Sequence, residues 1–473
     1  MFYNPAQVVN RDLSIAAINY FWKVKSTEKI KVKRGAKVES PASQQKGLKI
    51  LEGLAASGLR SIRYAKEIDH VSKIVANDLD PNVVEAMKKN IEFNGSDVVE
   101  RVEPSVGDAR ILMMQNEGIF DVVDLDPYGS PCQLLEPAIQ CIAEGGLLLV
   151  TATDMAVLCG NNGEACYAKY GCYPLHKPYC HEQAIRILLA SMSTTAAKYK
   201  RYVVPVLSCS IDFYVRVFVR VYTSPAEVKN TALKHAYIYQ SLGCESFELM
   251  KVGRTIEKGK SVKYAPGIGP PGSEKCPETG AHLVVGGPIW AEKIHNPDWI
   301  KGILTFMKER EQDFAAFGKI QGLLTSCADE LPDVPLYVDL HEACKTLKSS
   351  VPRNEVFKSA LINAGYRVSG THCNPLGIKT DAPWSVIWDV LRCWIKDHPV
   401  NIKEGSNAEK ILAKMPKLEA NFSRAAGALV YDKKGRNKVP RYVNNPENWG
   451  PKTRHNKKVK QVNADKRQKT TET

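Results

Sequence analysis

Lys49-Ile50-Leu51-Glu52-Gly53-Leu54-Ala55-Ala56-Ser57-Gly58-Leu59-Arg60 decides the fold of this chain. A short apolar strand runs into a turn of small side chains, and Ser61-Ile62-Arg63-Tyr64-Ala65 then enters a helix. Such a turn lets a ligand approach the backbone closely at the head of a nucleotide-binding α/β unit. The glycines are not spaced Gly-x-Gly-x-x-Gly, so the dinucleotide fingerprint fails. Working outward, Ser72-Lys73-Ile74-Val75-Ala76-Asn77-Asp78 reads as a second strand. It ends in an acid about twenty residues past the turn, the position that holds a ribose hydroxyl in folds of this kind. An amphipathic helix is predicted over Asn82 to Asn94.

Val106-Gly107-Asp108-Ala109-Arg110 gives a third strand end, whose acid suits an adenine amino group or caps the following helix. Asp121 to Asp126 makes the fourth strand. Glu52, Asp78, Asp108 and Asp126 are thereby expected in order along one rim, where open parallel sheets bind ligands. Each acid singly is as readily a helix cap. Their order is that of S-adenosylmethionine-dependent methyltransferases, in which a carboxylate holds the ribose and no pyrophosphate loop is needed. The run Phe120-Asp121-Val122-Val123-Asp124-Leu125-Asp126-Pro127-Tyr128-Gly129 adds an acceptor, a proline and an aromatic ring where the strand stops. The exocyclic amine of a nucleobase is a poor nucleophile because its lone pair is delocalised. Asp126 and the Pro127 carbonyl would accept its N–H groups, and Tyr128 would stack on a base swung out of its helix.

With these residues in view, the chain resembles the tRNA (guanine(26)-N2)-dimethyltransferase family. The resemblance rests on Phe2-Tyr3-Asn4-Pro5, Asn10-Arg11-Asp12, Ala56-Ser57-Gly58-Leu59-Arg60-Ser61-Ile62-Arg63, Asp78, Asp108-Ala109, Asp124-Leu125-Asp126-Pro127-Tyr128-Gly129-Ser130 and Thr151-Ala152-Thr153-Asp154. It continues through Ser210-Ile211-Asp212-Phe213-Tyr214-Val215-Arg216-Val217, Gly286-Gly287-Pro288-Ile289-Trp290 and Ala382-Pro383-Trp384. It implies that Arg11, Arg60, Asp78, Asp108 and Ala109 line a pocket for S-adenosyl-L-methionine, with Asp126 as catalytic acceptor and Pro127 and Tyr128 beside it. Spacing alone does not select Arg11; an arginine there would reach the cofactor's carboxylate in a bidentate manner. The implied reaction is methyl transfer to the N2 amine of guanine in tRNA, giving N2,N2-dimethylguanosine. Two other readings remain: a methyltransferase for another base amine such as adenine N6, and an inactive methyltransferase fold that binds and folds tRNA.

The fold class expected is α/β: a Rossmann-like class I methyltransferase domain over residues 1–225, with a flexible insertion near 24–46. A smaller α+β RNA-binding domain follows over 226–430, then a basic tail over 431–473. A chain of 473 residues is too long for one core. A net charge of +14 points to a polyanionic partner, here tRNA. The tail from Lys433 reads as tRNA backbone contact or a nuclear import signal, so a nuclear location is expected, with a mitochondrial pool if a longer start exists. No run of about eighteen apolar residues occurs, so no membrane-spanning helix is expected, and no secretory signal is read at the N-terminus. Thirteen scattered cysteines argue for a reducing compartment.

Gly146-Leu147-Leu148-Leu149-Val150-Thr151-Ala152-Thr153 reads as a buried fifth strand, and residues 155–180 as a long loop over the pocket. His181-Glu182 opens a helix to about Lys200 and either touches substrate or complements the helix dipole. Residues 203–222 read as a strand pair. Its second strand alternates Val215, Val217, Val219 and Val221 with Tyr214, Arg216, Phe218 and Arg220; the aromatic and arginine face either binds RNA or is covered by helices. Further on, helices are expected through 292–345, from Pro352-Arg353-Asn354-Glu355 and from Pro383 to Asp397, with a strand over Gly365-Tyr366-Arg367-Val368-Ser369, a winged-helix-like module. Eukaryotic members of the family carry two Cys-x-x-Cys pairs, a zinc pattern. This chain has Ser241-Leu242-Gly243-Cys244 and Cys276-Pro277-Glu278-Thr279, half of each pair, and His282 is badly spaced to substitute. No structural zinc is expected there and no metal ligand is assigned.

Overall fold

The computed structural model describes residues 7–28, 47–259, 261–269, 275–428, 439–443 and 445. Phe2-Tyr3-Asn4-Pro5, the insertion beyond residue 28 and nearly all of the basic tail lie outside the described residues. The first part of the chain runs α1 (Val8–Thr27), β1 (Leu48–Glu52), α2 (Leu59–Glu67), β2 (Val71–Asp78), α3 (Pro81–Phe93), α4 (Ser96–Arg101), β3 (Val102–Val106), α5 (Ala109–Met114) and β4 (Phe120–Leu125). It continues through α6 (Cys132–Cys141), β5 (Ile142–Ala152), α7 (Met155–Leu158), α8 (Gly163–Tyr170), α9 (Cys180–Lys198), β6 (Arg201–Ile211) and β7 (Tyr214–Thr223).

These strands form a seven-stranded sheet in the order β3-β2-β1-β4-β5-β7-β6. β1 to β5 are parallel, and β7 joins β5 antiparallel with β6 outside it. The order reverses between β1 and β4, so a crevice opens at their carboxyl ends, where ligands bind in such sheets. The α/β expectation is met. Local signals explain the elements: Pro81 stands at the first helical position of α3 and Asp80 caps it by accepting from the Asn82 N–H. Gly58 enters α2 at φ +74°, a conformation that strains any residue with a Cβ.

Helices cover both faces. Leu13, Ile18 and Phe21 of α1 pack on one face with Ile300, Ile303, Ile320 and Leu324 from helices Pro297–Glu309 and Phe317–Asp329. Leu135 and Ile139 of α6 with Ile185 and Leu188 of α9 fill the other. β7 is therefore enclosed on both sides: Val217 and Val219 join the second core, Tyr214 and Phe218 the first. Of the two readings of Tyr214, Arg216, Phe218 and Arg220, the structure bears out the face covered by helices and not the RNA-binding one. Arg220 lies 5.0 Å over the Phe21 ring of α1 and pairs with Glu28 at 2.8 Å.

Three further expectations are corrected. α1 extends to Thr27, so residues 24–27 of the insertion expected near 24–46 are helical. Residues 155–180 are not one loop but carry α7 and α8, whose Gly, Cys and Tyr content hides any apolar period. Of the two readings of Glu182, contact with substrate is set aside: it stands in the first turn of α9 but is buried, accepting from Arg186 Nε at 2.8 Å, the Leu336 N–H at 2.8 Å and Lys379 Nζ at 3.0 Å. Lys379 also stands 3.2 Å from Glu330, so one buried ammonium ties α9 to the C-terminal part.

Beyond β7, His235–Ser241 pairs with Phe247–Lys251 and Leu283–Trp290 in a three-stranded sheet. The last part carries strands Val338–Asp339, Val368–Thr371 and Asn374–Thr380 with helices Leu340–Leu347, Asn354–Asn363 and Trp384–Asp397. Leu340, Leu347, Phe357, Leu361 and Trp388 make its core. The strand expected from Gly365 begins at Val368, because Gly365 at φ +89° and the Tyr366 N–H still close the preceding helix. Among the described residues no helix is long and apolar enough to cross a membrane.

Candidate active site

Asp126 follows the last residue of β4, and its carboxylate pairs with Arg60 Nη2. Arg60, first turn of α2, is buried and reaches much further. Its Nη1 donates to Asn10 Oδ1 at 2.9 Å and to Ser14 Oγ at 3.3 Å, and stands 3.4 Å from Asp124; its Nε is 3.4 Å from Glu52. Asp124 is wholly enclosed and accepts from Arg216 Nη2 at 2.8 Å and Tyr64 OH at 2.5 Å. Arg216 in turn donates to Thr151 Oγ1 and Ser14 Oγ, both at 2.7 Å. Two arginines and the carboxylates of Glu52, Asp124 and Asp126 thus form one network under the rim. Burial resists ionisation of Asp124, but Arg216 and Arg60 outweigh it and hold its carboxyl below the ordinary carboxylate range.

Glu52 goes the other way. Burial pushes its carboxyl up to about 8, only partly opposed by Arg60, which it shares with two other acids, and by the Ser61 hydroxyl. The folded form therefore holds a proton that the unfolded chain releases near pH 4.5. Stability from this group is complete below that value and is lost as pH rises to about 8, at up to about 1.4 kcal/mol per pH unit. Glu52→Gln, which cannot ionise, is expected to lose less stability than the parent between pH 6 and pH 9 when denaturant midpoints are compared. Equal losses would show that Glu52 is already ionised at pH 6.

At the neighbouring strand ends, Asp78 Oδ2 accepts from the Ala56 N–H at 2.9 Å and Oδ1 from the Asp80 N–H at 3.1 Å. Asn77, buried beside it, donates to the Gly53 and Gly107 carbonyls at 3.2 and 2.9 Å and so knits three rim loops. Asp108 caps α5 by accepting from the Arg110 N–H at 2.8 Å, and it pairs with the Arg110 guanidinium at 2.6 Å; Ala109, next to it, is buried. A Cβ placed on Gly53 would lie 3.1 Å from the Leu125 side chain and 3.8 Å from Ala109, so a larger residue there requires Leu125 to give way by a few tenths of an ångström. Arg11 is buried on α1 between Asn10, which serves Arg60, and Asp12, whose carboxylate takes Arg63 Nη1 at 2.7 Å and the Ala316 N–H at 2.8 Å.

Tyr128 projects into solvent, 95% exposed. The turn behind it is firmly held: Gly129 N–H donates to Thr153 Oγ1 at 2.7 Å, and Thr153 N–H returns a bond to the Gly129 carbonyl at 3.0 Å. Ser130 Oγ donates to Tyr170 OH at 3.0 Å, which donates to Asp154 Oδ1 at 2.8 Å. The rim thus brings together Arg60, Asp126 and Glu52 in one network, with Asp78 at the end of β2, Asp108 and Ala109 at the start of α5, and Pro127 and Tyr128 in the turn after β4. Reading the sequence for function missed Asn10, Ser14, Tyr64, Asp124 and Arg216. The available signal was charge inside buried strands: Asp124 two residues before Asp126, and Arg216 amid valines.

Cys244 and Cys276 lie with sulfurs 3.6 Å apart, both buried. His282 is exposed, and among the described residues no third His, Cys, Asp or Glu joins the pair within ligand distance.

Residues 1–392 match the family model described as TRM: N2,N2-dimethylguanosine tRNA methyltransferase. A tRNA (guanine(26)-N(2))-dimethyltransferase 2 from Arabidopsis thaliana is 46% identical, the alignment covering 97% of this chain and 86% of that protein. The mitochondrial tRNA (guanine(26)-N(2))-dimethyltransferase of Saccharomyces cerevisiae is 36% identical over 96% of this chain and 89% of its own length. The solved complex of Trm1 from Pyrococcus horikoshii with S-adenosyl-L-methionine superposes with a TM-score of 0.66 at 28% identity, covering 82% of this chain and 94% of that one.

Proposed function

Because this chain belongs to the N2,N2-dimethylguanosine tRNA methyltransferase family, we propose that Asp126, Pro127 and Tyr128 receive the target base and that Arg11, Arg60, Asp78, Asp108 and Ala109 hold the methyl donor. The enzyme transfers methyl groups from S-adenosyl-L-methionine to the N2 amine of guanine 26 in tRNA. The observation that carries the residue assignment is the placement of Asp126 beyond β4 with Tyr128 fully presented to solvent.

The donor set fits the cofactor. Asp78, partly exposed at the end of β2, suits a ribose diol, and cationic Arg11 or Arg60 suits an amino-acid carboxylate. S-adenosyl-L-methionine supplies an electrophilic methyl group on a sulfonium. Asp126 accepts one N–H of the guanine amine and the Pro127 carbonyl the other, which turns the nitrogen lone pair outward, and Asp126 takes up the proton released on transfer. Arg60 holds the Asp126 carboxylate in place beforehand. Tyr128 stacks on the extruded guanine, a contribution of about 1–3 kcal/mol per base. Tyr128→Ala is accordingly expected to raise KM for tRNA by about tenfold or more, with cofactor binding unchanged and Tyr128→Phe near the parent. Equal loss in the Phe variant would remove stacking as the role.

The part over 226–430 we assign to the tRNA body, with the basic tail, where most of the net charge of +14 lies, adding backbone contacts. The lysine-rich tail, mostly outside the described residues, is read as a nuclear address, and imaging of a tagged chain with and without residues 431–473 tests it.

A further inference from the structure

Two clusters of ligand-type side chains lie apart from the catalytic rim among the described residues. The first, His295, Cys327, Glu330 and His372, is fully buried. The Ser208 N–H donates to His295 Nδ1 at 3.3 Å and the Ser210 N–H to His372 Nε2 at 3.1 Å. Each ring thereby keeps its proton on the other nitrogen, facing Glu330, and Lys379 Nζ stands 3.2 Å from the same carboxylate. Backbone N–H groups occupy one ring nitrogen of each histidine, and the Lys379 ammonium already supplies a positive charge beside Glu330, so a dication would have to displace it even though His295 Nε2 and Glu330 Oε2 make no hydrogen bond.

The second cluster differs in each respect. Cys159 ends α7, and Cys180 and His181 open α9. Their ligand atoms all lie within 4.8 Å of one another, and Cys180 Sγ is 3.9 Å from His181 Nδ1. Cys180 and His181 are partly exposed, which leaves an entry path. Among the described residues no lysine or arginine is hydrogen-bonded to any of the three. We propose that Cys159, Cys180 and His181 bind one thiophilic divalent cation, zinc in class, with the fourth position open to water.

The chemistry fits at three levels. Ligand atoms bonded at 2.0–2.3 Å in a tetrahedron sit roughly 3.3–3.8 Å apart, so the three need to draw together by only about 1 Å. Two thiolates and a neutral imidazole balance a dication, which removes the cost of placing it in a half-buried site. α9 is 19 residues long, and the free N–H groups at its start favour the anionic form of Cys180. The ion would join the end of α7 to the start of α9. Because α7 follows Thr153 and Asp154, which hold the Gly129–Ser130 turn, it would stiffen the support of Tyr128. This departs from the sequence expectation of no metal ligand and is independent of the Cys244–Cys276 pair.

The test is a Co2+ titration of the full-length chain reduced with a phosphine, read by thiolate-to-cobalt charge-transfer absorption. A saturable band at one equivalent, displaced by Zn2+, is expected. It should be lost in Cys159→Ser and Cys180→Ser and persist in Cys244→Ser, with circular dichroism showing that each variant is folded. His181→Asn, which spares both sulfurs, should keep the band but weaken cobalt binding. No band in the parent chain overturns the proposal without recourse to variants. So does a band that survives loss of Cys159 and Cys180, or one that disappears with Cys244.

Discussion

Asp126→Asn is expected to lower kcat for tRNA methylation by at least about 100-fold, the low end of what a positioned proton acceptor contributes. The amide keeps the shape of the side chain but cannot take the proton of the amine, and it offers one acceptor where the carboxylate offers two. Cofactor affinity, measured by calorimetry, is expected to stay within a few-fold. Arg60 keeps Glu52, Asp124 and Asn10 after it loses Asp126, so the network beneath the rim stays in place. A variant that still methylates at near the parent rate would move the acceptor role elsewhere, with Asp154, tied to the same turn through Tyr170 and Ser130, the nearest other carboxylate on that turn's support.

The largest effect on stability is expected from Arg216→Leu. Arg216 has no exposed surface and serves Asp124, Thr151 and Ser14 at once. Its removal leaves a buried carboxylate short of a counter-charge, a loss of about 3–5 kcal/mol, read as a shift in the denaturant midpoint. Asp124 would then draw on Arg60, its other cationic neighbour, and compete with Asp126 for it. Activity should therefore fall even at temperatures where the variant is folded. In the double variant with Asp124→Asn the unpaired charge is gone, so the two losses should sum to more than the observed cost by at least about 1 kcal/mol. Additive losses would mean that the pair is not coupled and that the network under the rim is an accident of packing.

The parts of this molecule legible in the sequence are those with local causes. The Lys49 to Arg60 turn, the acid at the end of β2 and the Asp-Pro-Tyr-Gly end of β4 each sit where a strand stops, and apolar runs mark strands clearly. What stayed hidden depends on partners far away in the chain. Alternation in β7 showed which residues share a face but not that α1 covers the arginine face, a packing that joins Phe21 to Arg220 across nearly two hundred residues. Glu182 looked like a first-turn acid because its partner Lys379 lies in another part of the chain. Residues 155–180 lack apolar periodicity, so two short helices passed for a loop. Asn10 and Asp12 of the Asn-Arg-Asp motif acquire a physical role only when α1 is seen lying against Arg60 and Arg63.

The central claim is tested most directly by mass spectrometry of nucleosides from tRNA incubated with the enzyme and isotopically labelled S-adenosyl-L-methionine. N2,N2-dimethylguanosine carrying two labelled methyl groups, mapped to guanine 26 and absent with Asp126→Asn, is the predicted result. Label in N6-methyladenosine, or tRNA bound with no labelled nucleoside at all, would contradict it.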